Sequence, residues 1–147
     1  MINWELVEKA ILIRRFEELL LRLFRDGKLN GTVHTCLGQE WTGVAVSEFL
    51  RDGDTVFSNH RGHGHFLART GNVEGLLAEI MGKSGAICNG VGGSQHIRVD
   101  GYFSTGIQGE GIGLAAGMAL SWKRKCRTGF VISFIGDGTW GQGIVYE

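Results

Sequence analysis

Residues 130–135, Phe130-Val131-Ile132-Ser133-Phe134-Ile135, form an almost unbroken apolar run, and Gly136-Asp137-Gly138 follows at once. Side chains alternate between the two faces of a strand, so such a run must be covered on both faces. This is the pattern of a strand inside a parallel sheet. Parallel strands cannot be joined by tight hairpins and need long crossovers, usually helices. The rest of the chain supplies them. Leu6, Ala10, Ile13, Phe16, Leu20, Leu23 and Phe24 recur three and four apart, which predicts an amphipathic helix ended by Gly27. Further helices are predicted over Gln39–Leu50, stopped by the turn Asp52-Gly53-Asp54, over Glu74–Met81 and over Gly111–Lys125. Thr55-Val56-Phe57 reads as a short strand and Ser58–His65 as a polar loop. Gly31–Leu37 reads as irregular chain or short strand, and Gly82–Gly109 as a long glycine-rich loop of the kind that usually carries function. The expected fold class is α/β, a parallel sheet with flanking helices. Two clear strands are too few for a finished sheet, so the domain looks unfinished at its C-terminal side.

Composition narrows the function. Lys plus Arg and Asp plus Glu are 15 each, and this balance argues against a nucleic-acid footprint or a polybasic membrane patch. No apolar stretch is long enough to span a membrane, and Met1–Glu5 does not read as the start of a signal peptide. Cys36, Cys88 and Cys126 lie far apart without a C-x-x-C, so reduced thiols and a cytoplasmic setting are expected. There are 25 glycines among 147 residues and no proline, against a usual glycine share of roughly 7%. The backbone is therefore expected to come close to something at several places.

Four segments carry chemistry. Ligands of parallel α/β sheets sit beyond the carboxyl ends of strands, where Gly136-Asp137-Gly138 falls. The glycines admit a phosphate, and an aspartate beside that anion makes sense if Mg²⁺ bridges the two. A simple Asp-Gly turn is the alternative. In Asn59-His60-Arg61-Gly62-His63-Gly64-His65, Arg61 can grip phosphate and the histidines can move protons or donate hydrogen bonds. A metal site on the three histidines lacks a nearby cysteine or carboxylate, and a solvated polar loop is the plainer reading. Gly90–His96 and Gly106–Gly113 are glycine patterns that are weak when taken singly. The second lacks an evident preceding strand that would make it a dinucleotide fingerprint.

Taken together and in order, these segments resemble the α subunit of thiamine-diphosphate-dependent 2-oxo acid dehydrogenases, the E1 family of pyruvate, branched-chain and acetoin dehydrogenases. The resemblance spans nearly the whole chain. Gly38-Gln39-Glu40 is similar to the family's G-Q-E, and the 59–65 segment to its Y/H-R-x-H-G loop. Gly92-Gly93-Ser94-Gln95-His96 is similar to G-G-S-M-H, and Gly106-Ile107-Gln108-Gly109 to G-I-V-G. Leu114-Ala115-Ala116-Gly117 matches L-A-A-G, and Gly136–Gly143 is similar to G-D-G-A-x-N-Q-G.

The resemblance implies thiamine diphosphate and Mg²⁺ as cofactors. It makes Asp137 a metal ligand, with Gly136, Gly138 and Thr139 lining the diphosphate and His60 and Arg61 binding it. Gly106 and Gln108 would present backbone atoms to the aminopyrimidine, and His63 and His96 would be catalytic residues on active-site loops. Gln95, Gln108, Trp140 and Gly141 depart from the pattern, standing for a methionine, a valine, a small residue and an asparagine. The family's second metal-binding side chain, an asparagine, falls beyond residue 147, and its activating glutamate belongs to a β subunit. The implied reading of residues 1–147 is the N-terminal part of one thiamine-diphosphate-binding domain. It would work in a hetero-oligomer with a completing chain or an E1 β-type subunit. The complex would decarboxylate a 2-oxo acid and pass on the acyl or aldehyde unit. A transketolase-like carboligase subunit and a non-catalytic or regulatory remnant are the alternatives.

Overall fold

The computed structural model describes residues 2–147 and shows a mixed α/β fold with a small open sheet. Helix α1 spans Trp4–Arg25. Asn3 caps it by accepting from the Glu5 N–H at 3.2 Å, and Glu5 and Arg22/Arg25 suit the two ends of the helix dipole. Its face of Ala10, Ile13, Phe16 and Leu20 is buried as the periodicity predicts. Phe24 is 48% exposed, because the last turn overhangs the core. Helix α2, Glu40–Ser47, stops short of the expected Leu50. Phe49 and Leu50 donate to Val46 and Ser47, three residues back rather than four, so the chain tightens out of the α-helix before the Asp52-Gly53 turn.

Strand β1, Thr55–Ser58, is buried along its length. The sequence reading of Ser58–His65 as a continuous loop is corrected here. The loop is short, and His63–Thr70 is helix α3, ended by Gly71 at φ +65°. Gly64, which read as part of that loop, is a helix-packing site instead. A Cβ on Gly64 would lie 2.8 Å from the Cys36 sulfur, and one on Gly43 of α2 would lie 3.1 Å from the Gly64 backbone. Helix α4, Val73–Ile80, follows.

The long segment before Gly109 is also not all loop. It contains β2, Arg98–Val99, and β3, Tyr102–Ser104, too short to show a period. Helix α5 is Glu110–Arg124, strand β4 is Val131–Ser133, a 3-10 turn covers Asp137–Gly141, and α6 is Gly143–Tyr146.

The sheet order is β2-β3-β1-β4, with β1 parallel to both β3 and β4 and β2 antiparallel to β3. Register pairs Val56 with Tyr102 and Phe57 with Phe103. Side chains alternate accordingly. On one face the Tyr102 ring meets Phe66 of α3 edge-on at 5.3 Å, within the core that also holds Val56. On the other, Phe57 stacks on Phe103 at 5.1 Å, and a Cβ on Gly111 of α5 would come within 3.7 Å of Phe57. Asp54 joins the starts of β1 and β4, accepting from the N–H groups of Arg51 at 2.8 Å and Phe130 at 2.7 Å. Burial alone would push its pKa up, but those two N–H groups outweigh burial and hold the carboxyl below its ordinary value. Strand β4 is only half-buried, not the doubly covered strand expected, because nothing pairs with its outer edge among the described residues. No helix of the described residues is long and apolar enough to cross a membrane.

Candidate cofactor site

Because β1 and β4 are parallel neighbours, their carboxyl ends deliver Asn59-His60-Arg61 and Ile135-Gly136-Asp137 to the same place. Between them lies a cleft of about 500 Å³, lined also by Gln39, Thr42, His65 and Phe134. It sits where open parallel sheets bind ligands. Four of the residues singled out in the sequence, His60, Arg61, Gly136 and Asp137, meet there.

Each is held by its own local structure. The Arg61 guanidinium donates to the Thr35 carbonyl, and its backbone N–H donates to Asn59 Oδ1 at 2.9 Å. His60 meets His34 edge-on at 5.1 Å. Burial, then His34, then Arg61 lower its pKa, so the ring is a neutral donor or acceptor near pH 7. Gln108 bridges behind the cleft. Its amide nitrogen donates to His60 Nδ1, and its oxygen accepts from the Thr139 hydroxyl at 3.2 Å. Gly109, at φ +85°, starts α5 where a Cβ would strike Gln142 Oε1 at 2.5 Å. This β3–turn–α5 arrangement supplies the strand that the sequence did not show before the glycine pattern.

His65, which the sequence gave no separate role, lies in the cleft wall. It stacks on Phe134 at 3.7 Å with its Nδ1 2.8 Å from the Ser58 hydroxyl, and burial drives its pKa down to about 4. Glu40, beside Gln39, is structural. It accepts from Arg14 and from the Gly38 N–H at 3.0 Å, and the Arg14 bond leads in pulling its pKa to about 2.

The other predicted residues separate from the cleft. His63 is 1% exposed rather than on an active-site loop, since it opens a buried helix. Its Nε2 donates to the Ser94 carbonyl at 2.9 Å and its Nδ1 lies 3.1 Å from Glu17 Oε1. Glu17 also accepts from the Cys36 N–H and thiol, and burial followed by Glu17 pushes that thiol's pKa up. His96 is exposed and borders a separate hollow of about 290 Å³, lined by Phe103, Thr105, Glu110 and Leu114 among others. A Cβ on Gly106 would approach both Gln95 and His96, so this glycine lets the two segments touch. Gly138 is exposed and Thr139 buried in the 3-10 turn. The three histidines of residues 60–65 take separate partners, and no cluster of three potential metal ligands occurs among the described residues.

The donors fit a diphosphate carried with a cation. Arg61 offers charge and planar N–H groups, and His60 offers a neutral ring. Asp137 is exposed at the cleft and joins no ion pair among the described residues, which leaves its oxygens free for a hard cation. Mg²⁺ is commonly held by one or two carboxylates together with phosphate oxygens and water.

Residues 8–147 match the family described as dehydrogenase E1 component. The chain belongs to that family. It is 42% identical over 143 residues to the α subunit of an acetoin:2,6-dichlorophenolindophenol oxidoreductase of Bacillus subtilis, covering 95% of this chain and 43% of the relative. The corresponding subunit of Cupriavidus necator is 42% identical over 138 residues, covering 92% of this chain and 41% of the relative. The pyruvate dehydrogenase E1 component α subunit of Rhizobium meliloti is 36% identical over 142 residues, covering 95% and 41%. This E1-family chain thus spans less than half the length of these relatives.

Proposed function

We propose that residues 1–147 form the diphosphate-binding, N-terminal part of an E1-type domain and act in a hetero-oligomer. A completing segment or chain, and a β-type subunit, supply the remaining strands and catalytic groups. The observation that carries this reading is the single cleft in which His60 and Arg61 at the end of β1 face Gly136 and Asp137 at the end of β4. Thiamine diphosphate, when bound, supplies the electron sink for breaking a bond beside a carbonyl. Asp137 holds Mg²⁺, Arg61 and His60 hold the diphosphate, and Gly136, Gly138 and Thr139 shape the turn that lets it approach. Gly106 and Gln108 would present backbone atoms to the aminopyrimidine. His96 is the proton-carrying candidate, being exposed beside that segment. His63 acts from the interior, positioning the Ser94–His96 segment through the Ser94 carbonyl. The reaction is decarboxylation of a 2-oxo acid with transfer of the two-electron-richer fragment, in a reducing cytoplasm that suits three free cysteines.

The two relatives named for acetoin favour a second substrate, acetoin itself, a 2-hydroxy ketone. Assaying the assembled complex with acetoin and a panel of 2-oxo acids, with a dye acceptor, separates the two. Asp137→Ala tests the site itself. In the assembly it should abolish Mg²⁺-dependent thiamine diphosphate binding by calorimetry, while shifting stability by no more than about 0.5 kcal/mol, as at other exposed positions. Unchanged affinity would remove Asp137 from the metal site.

A further inference from the structure

Two glutamines, Gln95 and Gln108, stand where the sequence departs from the family pattern, and both bond imidazole rings. The Gln95 amide nitrogen lies 2.8 Å from His34 Nδ1 and 3.1 Å from the Thr32 hydroxyl. The Gln108 amide nitrogen lies against His60 Nδ1, with its oxygen on Thr139. His34 and His60 are themselves in edge-to-face contact. One continuous chain of contacts therefore runs from Thr32 through both imidazoles to the turn that follows Asp137.

We propose that Gln108 is a positioning residue that fixes His60 as the Nε2–H tautomer, so that the ring offers the cleft an N–H donor, and that Gln95 does the same for His34. An imidazole nitrogen that accepts a hydrogen bond cannot carry the proton, so an amide donor at Nδ1 leaves it on Nε2. The Thr139 hydroxyl supports this orientation by donating to the amide oxygen, which turns the nitrogen toward His60. Most of the charged and titratable groups around His60 oppose its protonation. His34 and Arg61 both oppose a positive charge on it, as burial does. The cleft lining also holds His65, itself held neutral near pH 7, and Asp137, whose carboxylate alone would favour the imidazolium. The cleft then grips an anion with one permanent charge, Arg61, and one neutral donor, His60. The identity of that anion rests on the proposed function, but the tautomer does not.

The test is ¹⁵N NMR of the histidine-labelled protein in its native assembly, without cofactor, with His60 assigned from a His60→Gln sample. His60 Nδ1 should resonate as an unprotonated nitrogen and Nε2 as a protonated one at about pH 8, where the ring is neutral. A protonated Nδ1 in the unmodified protein overturns the proposal without need of any variant. Gln108→Val should release the preference toward a mixture of tautomers. Gln108→Glu should raise the His60 titration midpoint by about one pH unit or more, since a carboxylate favours the imidazolium. An identical ¹⁵N pattern in both variants also overturns it. Calorimetry with thiamine diphosphate and Mg²⁺ on the same unmodified sample keeps the two readings apart. Binding with the wrong tautomer defeats this inference alone, and the expected tautomer without binding defeats the proposed function alone.

Discussion

Helices α1–α4 and the segment from α5 onward differ in how much core they build: both expose apolar side chains, Trp4, Ile11, Trp41 and Phe49 among those of the first, but only the first also packs a continuous interior. In the first region Ile13, Leu20, Val44, Phe66 and Leu76 are almost wholly buried, together with the carboxylates Glu17 and Glu79. In the second, α5 buries only Gly111, Ala115 and Trp122, while Leu114, Leu120, Phe130, Trp140, Ile144 and Tyr146 are exposed. The proposed cofactor residues divide across this boundary, His60 and Arg61 on one side and Gly136 and Asp137 on the other. The first region is a finished core able to hold its half of the site rigid. The second is a half-covered layer, which under the proposed function would be stiffened, and the site completed, by what packs on α5 and β4.

The strongest test of the finished side is Glu17→Ala. It strips the Cys36 N–H and thiol of their shared acceptor and His63 Nδ1 of its partner inside the core, and should cost about 3–5 kcal/mol, since each buried polar group left unsatisfied costs roughly 1–3 kcal/mol. Chemical denaturation reads it, and a loss below 1 kcal/mol would show that the interior is less closed than the burial implies. Leu20→Ala, at a fully buried position, should cost about 2–5 kcal/mol by loss of transfer free energy and creation of a cavity.

A pH arm comes next. His65 has its pKa lowered from 6.5 to about 4, so it binds a proton more readily unfolded than folded. The stability from keeping it neutral is complete above about pH 6.5 and falls away as pH drops toward 4. The loss is roughly 2–3 kcal/mol. Glu40, lowered from 4.5 to about 2, adds its own loss only below about pH 4.5. His65→Asn, which keeps an amide near Ser58, should flatten the first arm in thermal melts between pH 6.5 and 4.5 and leave the second.

The smallest effect is expected on the unfinished side. Leu120→Ala should change the stability of the chain alone by no more than about 0.5 kcal/mol. The same change should weaken the assembly, read by sedimentation. A large effect on the isolated chain would erase the contrast between the two regions.

What the sequence revealed follows the same division of physical causes. Helix α1 was legible because a long helix repeats its apolar spacing many times, and the cleft was legible because Arg61 and Asp137 sit in short ordered motifs. Helix α3 was hidden because Gly62, His63 and Gly64 carry turn and loop preferences that close packing overrides. Strand β3 was hidden because three residues cannot show alternation. Glu17 and Glu79 were hidden because a glutamate on an amphipathic helix reads as solvent-facing unless its buried partners are known. His63 was misplaced for the converse reason, since residue type reports what a side chain can do and not whether water reaches it.

Glu79 has a consequence of its own. Its carboxylate accepts from the N–H groups of Cys88 and Gly92 at 2.7 Å and of Gly90 at 3.0 Å, fastening an irregular segment to helix α4. Amide protons in glycine-rich coil ordinarily exchange with deuterium almost as fast as in an unfolded peptide. These three should instead exchange only when α4 itself opens, so the loop keeps the helix's clock. Two of the three residues are held to glycine by the same geometry, since a Cβ on Gly90 or Gly92 would strike the backbones of Gly82 and His96 while their hydrogens aim at one buried carboxylate.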